Sequence, residues 1–131
     1  MNALYTRMET WRPYVLSILR IVVGLLFLQH GLSKVFGFPV PGPSLHGLLI
    51  LAAFLETVGA LLFLIGAYTR IVAFILSGEM ALAYFMVHAP QSFYPIINKG
   101  ELAIVYCFIF LYFAFAGAGP WSVDRAMLNQ A

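Results

Sequence analysis

Four charged residues lie inside or at the end of stretches that are otherwise apolar enough to cross a bilayer. They are Arg20, Glu56, Glu79 and Glu101. A charge at the centre of a membrane helix costs about 2.5–3.5 kcal/mol on insertion scales, so such residues are normally paired and turned away from lipid. In a site with little water they can carry protons or bind an ionic group. The function of this chain should therefore be sought among them.

The stretches around these charges predict four membrane-spanning helices. The chain has 131 residues, 63% of them hydrophobic and 9% charged, whereas soluble domains carry about 25% charged residues. A hydrocarbon core about 30 Å thick needs about 20 apolar residues per helix. Four blocks approach this length, at about residues 13–36, 45–67, 70–89 and 101–117. The predicted fold is all-α: one membrane domain over residues 1–131, an antiparallel four-helix bundle.

The sequence also predicts where some of these helices begin. Ser44 and Thr69 can N-cap the second and third spans. Residues 98–101 are typical of a capping box, in which Glu101 reaches back to the backbone of Asn98. The turn between the second and third spans is short, so those two helices should form an antiparallel hairpin.

The basic residues predict an orientation. With four spans, Lys34 and Lys99 fall on one side, and four arginines fall on the other: Arg7, Arg12, Arg70 and Arg125. The positive-inside rule then places both termini in the cytoplasm. We expect a multi-pass protein of a bacterial inner (plasma) membrane.

One group of buried charges lies near the middle of the bilayer. Glu56 and Glu79 are close to the midpoints of their helices, and Arg20 is about 6 Å toward the cytoplasm at 1.5 Å per residue. Two carboxylates beside one arginine leave one negative charge, which favours a neutral acid. We expect one glutamate to be protonated near neutral pH while the other pairs with Arg20. These three residues are the candidate catalytic group, a proton relay; an ion pair that only fixes helix register is the alternative.

A second group of polar residues lies near the outer interface. Gln29, His30, Lys34 and Glu101 form the candidate substrate-binding site, in which Lys34 and Glu101 are natural partners. The aromatic run at residues 106–115 can supply flat walls for a quinone, although lipid contact or core packing explains the same run. No HxxxH or HxxE pair occurs on one helix, so no metal site is predicted.

Read together, short motifs along nearly the whole chain resemble those of the DoxX family of small membrane proteins. They are Leu19-Arg20 with Gly24, then residues 30–34, 56–59, 64–70, 98–101 and 117–124. The resemblance implies a four-helix membrane fold. Some DoxX proteins are subunits of quinone-reducing thiosulfate oxidoreductases, and others associate with thiol and oxidative-stress systems.

The leading interpretation is therefore a membrane subunit linked to quinone-dependent redox chemistry. It would take a quinone as substrate, hold no bound cofactor and work with a soluble redox partner subunit. One alternative is a non-catalytic membrane scaffold or assembly factor. Another is a carrier for a small solute, which would need a homo-oligomer. Because the basic residues are spread singly, no nucleic-acid partner is predicted.

Overall fold

The fold consists of helices, several of them long and apolar enough to cross a membrane. The computed structural model describes residues 1–130, and no strand occurs in that part of the chain. Three helices have the length and hydropathy of a span, namely Asn2–Phe36, Leu48–Ile65 and Thr69–Gln91. A fourth apolar helix, Glu101–Ala116, has 16 residues. The all-α class is confirmed.

Two of the long helices are interrupted by wider turns. The α-helices are α1 (Asn2–Phe36), α2 (Leu48–Phe54), α3 (Ala60–Ile65), α4 (Thr69–Ala83), α5 (Pro95–Asn98), α6 (Glu101–Ala116) and α7 (Val123–Met127). A π-helical turn at Leu55–Gly59 joins α2 to α3 as the second span. Another, at Tyr84–His88, extends α4 and is followed by a 3-10 turn at Ala89–Gln91. Such π-helical turns are frequent at functional sites.

Glycines in the left-handed region end two of the spans. Gly37 closes α1 with a φ of 67°, and Gly66 closes α3 with a φ of 72°. A residue without a Cβ adopts this conformation at little cost. After Gly66 only two residues precede α4, so the second and third spans form the expected antiparallel hairpin.

The predicted helix starts differ from those observed. α1 begins at Asn2, ahead of the span predicted from about residue 13, and continues through Pro13. α2 begins at Leu48, after Gly47, so Ser44 is not its N-cap. The start of α4 is capped by a residue distant in sequence, because the Asp124 carboxylate accepts hydrogen bonds from the backbone N–H groups of Tyr68 and Thr69, at 2.7 and 2.9 Å.

The predicted capping box at the start of α6 is wrong. α6 begins at Glu101 itself. The Asn98 side chain instead accepts a hydrogen bond from the backbone N–H of Gly100, at 2.8 Å. Its amide group donates to the carbonyl of Ser92 and to the hydroxyl of Tyr84. Asn98 therefore fixes the loop before α6, and Glu101 is left exposed.

Four phenylalanines from α1, α3 and α6 hold the helices together. Phe27, Phe63, Phe110 and Phe113 are almost fully buried. Phe110 meets Phe27 and Phe63 edge-on, with ring centres 4.9 and 5.1 Å apart, which is a favourable aromatic geometry. The aromatic run of α6 is thus divided between a core face and an outer face that carries exposed rings: Phe108, Tyr112 and Phe115.

Candidate functional site

A cleft of about 910 Å³ lies between α1, α2, α4 and α6, toward the end of the bundle where α1 stops. Its walls are mostly apolar, and it is partly open. The opening lies between the second and third spans, because α3 packs against α4 whereas α2 diverges from it. Leu51, Ile75 and Leu82 line the cleft and are exposed at this opening.

An ion pair lies in the wall of this cleft. The ammonium of Lys34 is 2.5 Å from the carboxylate of Glu56. Their side chains are 17% and 7% exposed, so the pair is largely removed from solvent. The predicted pairing of Lys34 with Glu101 is wrong, and so is the predicted pairing of Arg20 with a membrane glutamate.

Glu79 adds a second carboxylate beside this pair. Both of its side-chain oxygens are buried and have no hydrogen-bond partner among the described residues. Its charged neighbours are the Glu56 carboxylate and the Lys34 ammonium. A buried ionised carboxylate without a hydrogen bond is costly, so this position favours either a proton on the group or a donor from a ligand.

Two hydrogen-bond donors face the same space. His30 lies beside Lys34 and Glu56, and its ring meets that of Tyr106 edge-on, with centres 6.1 Å apart. Both residues line the cleft. Neither side chain makes a hydrogen bond to another described residue, so both are available to a ligand.

One end of the cleft is bordered by the loop before α6. His88, on the second π-helical turn, lines the cleft, and its Nδ1 is 2.9 Å from the carbonyl oxygen of Asn98. Lys99 also lines the cleft and is exposed. This end of the site therefore combines a polar rim with the apolar interior.

A close approach of two backbones brings the charges together. A Cβ at Gly31 would lie 2.5 Å from the Thr57 hydroxyl oxygen and 2.7 Å from the Thr57 backbone nitrogen. Only glycine therefore fits where α1 crosses the π-helical turn of the second span. Lys34 lies one turn beyond Gly31 on the same face, and Glu56 precedes Thr57, so this crossing sets their separation.

Two predicted binding residues lie away from the cleft. Gln29 is exposed on the outer side of α1, and Glu101 lines a shallow surface depression with Lys99. The cleft also includes Tyr106, from the aromatic run that the sequence offered as walls for a quinone. Tyr106, Phe110 and Phe113 recur at intervals of four and three, a spacing that places them on one helix face. That face is the buried one.

Arg20 belongs to a separate cluster at the other end of the bundle. Its guanidinium donates hydrogen bonds to the carbonyl oxygens of Ala118, of Trp121 at 2.5 Å and of Leu64 at 3.4 Å. Lys34 lies 14 residues further along α1, which is about 21 Å at 1.5 Å per residue. Arg20 therefore ties the segment after α6 to α3 and has no place in the cleft.

Comparison with known proteins identifies the family of this chain. A family model, DoxX, matches residues 15–89, a range that holds Lys34, Glu56 and Glu79. A protein of Haemophilus influenzae, described as an uncharacterized protein, is 45% identical over an alignment of 131 positions. The alignment covers 94% of this chain and 98% of that protein. No solved structure matches. The match covers more than half of the chain, and the protein belongs to the DoxX family of membrane proteins.

Proposed function

We propose that the cleft binds a membrane quinone and supplies protons for its reduction. The observation that carries this proposal is the combination of an apolar cleft, open between two spans, with a buried group of ionisable side chains at Lys34, Glu56 and Glu79. A quinone has matching parts: a flat apolar ring, carbonyl oxygens that accept hydrogen bonds, and a long apolar tail.

The size and opening of the cleft suit such a ligand. Small-molecule sites are typically clefts of about 300–1,000 Å³ with apolar walls and a few polar groups, and the cleft measures about 910 Å³. In a bilayer, the opening between the second and third spans faces lipid tails. A quinone head can then enter sideways from the membrane while its tail remains in lipid.

The polar groups divide into donors and proton carriers. His30 and Tyr106 would donate hydrogen bonds to the quinone carbonyls, because neither side chain has a hydrogen-bond partner within residues 1–130. One proton shared by Glu56 and Glu79 would balance the charge of Lys34 against the two carboxyl groups. Reduction of a quinone to a hydroquinone consumes two electrons and two protons. Glu79 would pass the protons, and the electrons would come from a soluble partner subunit that carries its own redox centre.

We further propose that all four long helices cross a bacterial inner membrane, with both termini in the cytoplasm. α6 is about 24 Å long at 1.5 Å per residue, which is somewhat less than the hydrocarbon thickness. Its pattern nevertheless supports a span, since Phe110 and Phe113 are buried in the core while Phe108 and Phe115 are exposed. The distribution of basic residues favours the cytoplasmic termini.

The proposal is tested by filling the cleft. Gly78 lines the cleft, and a Cβ at this position meets no atom within 4 Å. Gly78→Phe should therefore occupy the cleft without disturbing the packing. We expect saturable binding of a ubiquinone or menaquinone analogue to the purified protein, weakened at least tenfold in Gly78→Phe. Val58→Phe is the control, because Val58 is exposed on the second span and does not line the cleft.

Two outcomes of this experiment would contradict the proposal. One is equal binding to both variants, which would place the quinone elsewhere on the protein. The other is no binding to a folded wild-type protein. That second result would favour the alternative of a membrane scaffold, in which the buried charges only hold the helices in register.

A further inference from the structure

The outer side of α1 carries a line of residues at the spacing of a coiled coil. Successive residues of this line are alternately four and three positions apart in the sequence, and all of them are exposed. The line consists of Leu4, Met8, Trp11, Val15, Ile18, Val22, Leu25 and Gln29. Arg20, Gly24, Phe27 and Gly31 are buried against the other helices on the opposite side of α1. One face of this helix therefore packs against the bundle, and the other has no partner in the part of the chain that the structure describes.

Lipid contact does not account for Gln29. Its side chain points outward and makes no hydrogen bond to another described residue. It lies seven residues before the end of α1, which is about 10 Å from that end at 1.5 Å per residue. An amide without a partner is costly in hydrocarbon. Polar side chains on a span typically meet a hydrogen-bonding group of another helix.

Lipid contact does not account for the first residues of the line either. α1 has 35 residues and is about 52 Å long at 1.5 Å per residue, whereas the hydrocarbon core is about 30 Å thick. Its first ten or so residues therefore project beyond the lipid tails. Leu4 and Met8 remain exposed there, among neighbours that are mostly polar: Asn2, Thr6, Arg7, Glu9 and Thr10.

We propose that two copies of this chain form a parallel dimer along this line. A repeat of alternating four and three intervals lets two identical helices pack side by side over many turns. A twofold axis would bring the two Gln29 side chains together, so each amide could bond the other. Copies in one membrane share an orientation, which makes the pair parallel. No member of the line is among the residues that line the cleft, so the dimer would use a different surface.

The proposed dimer makes a prediction about charge. In a parallel pair with this repeat, Arg7 of one copy lies across from Arg12 of the second copy, at the positions that flank the apolar line. These like charges oppose association. Arg7→Glu would replace repulsion by attraction without touching the pair that Arg12 already forms with Glu9, at 3.3 Å. The variant should therefore strengthen the dimer.

Disulfide cross-linking in liposomes tests the arrangement. In a Cys107→Ala background, Val22→Cys places a thiol on the line, and Leu61→Cys places one on the second span. The two native side chains are similarly exposed, at 48% and 46%. On oxidation at low protein density we expect at least fivefold more covalent dimer from Val22→Cys. Equal yields, or no dimer from Val22→Cys, would overturn the proposal.

Energy transfer between labelled copies in the same liposomes supplies a second test. Gln29→Leu should weaken the dimer by about fivefold or more, because it removes the hydrogen bonds between the two amides. Arg7→Glu should strengthen it. A dimer unchanged by Gln29→Leu, or weakened by Arg7→Glu, would overturn the proposed contact along this line. None of these readouts depends on quinone binding, so they can fail independently of the proposed function.

Discussion

The ammonium of Lys34 lies 2.5 Å from the carboxylate of Glu56, and this pair joins the end of α1 to the middle of the second span. The contact depends on Gly31, whose missing side chain lets the two backbones meet. Glu79, on α4, completes a group of one positive and two potentially negative side chains. Three helices thus contribute one ionisable side chain each to a single wall of the cleft.

Removal of Lys34 alone should be more damaging than removal of the pair. Lys34→Met leaves two buried carboxyl groups without a counter-charge, and breaking a buried pair in this way costs about 3–5 kcal/mol. The double variant Lys34→Met/Glu56→Gln should recover a large part of that loss. Thermal unfolding in mild detergent measures the stability of the single and the double variant. Lys99→Met is the control, since Lys99 is exposed and its loss should cost less than about 0.5 kcal/mol. A double variant no more stable than Lys34→Met would rule out the pairing.

Replacement of Arg20 should have a different signature. Arg20→Met leaves the carbonyls of Ala118 and Trp121 without their donor, and hydrogen bonds to a charged group contribute about 1.5–3 kcal/mol each. We expect lower stability together with faster hydrogen exchange in residues 117–124. Because the two sites are far apart, the losses of stability caused by Glu56→Gln and by Arg20→Met should add in the double variant to within about 0.5 kcal/mol. Rescue of Arg20→Met by Glu56→Gln would instead restore the pairing expected from the sequence.

Gly31 should tolerate no larger residue. Gly31→Ala places a Cβ against backbone and side-chain atoms of Thr57, and such overpacking typically costs about 1–3 kcal/mol. Gly78→Ala is the matched control. Its Cβ meets nothing within 4 Å, and alanine is favoured over glycine in a helix by about 1 kcal/mol. Unfolding in detergent should show that Gly31→Ala is less stable than the wild type. Gly78→Ala should be as stable as the wild type or more stable. The reverse order would refute the close crossing of α1 and the second span.

Much of the architecture could be predicted from hydropathy and charge. The apolar blocks located the long helices, and the cost of a charge in hydrocarbon singled out Glu56 and Glu79. His30 and Lys34 were also predicted as binding residues, and both line the cleft. The sequence could also have predicted that Gln29 and His30 do not share a site, because adjacent residues on a helix point about 100° away from each other.

Other features had no readable signal. The Arg20 guanidinium donates hydrogen bonds to backbone carbonyls about 100 positions away. Because every residue has a backbone carbonyl, the sequence does not indicate which of them Arg20 contacts. The same reason hides Asp124, whose carboxylate caps α4 from beyond the fourth helix. The π-helical turns change the spacing of residues around the helix, and this change is too small to detect in a short stretch of sequence. Only the packed structure reveals them, and one of them carries Glu56.

Photolabelling tests the central claim, that the cleft is a quinone site, most directly. A photoreactive quinone analogue would be activated on the protein in liposomes, with and without excess unlabelled quinone, and the labelled peptides identified by mass spectrometry. We predict labels on residues 48–56 and 75–88 that disappear under competition. Labels confined to the exposed faces of α1 and α6, or labels that competition does not reduce, would contradict a quinone site in the cleft.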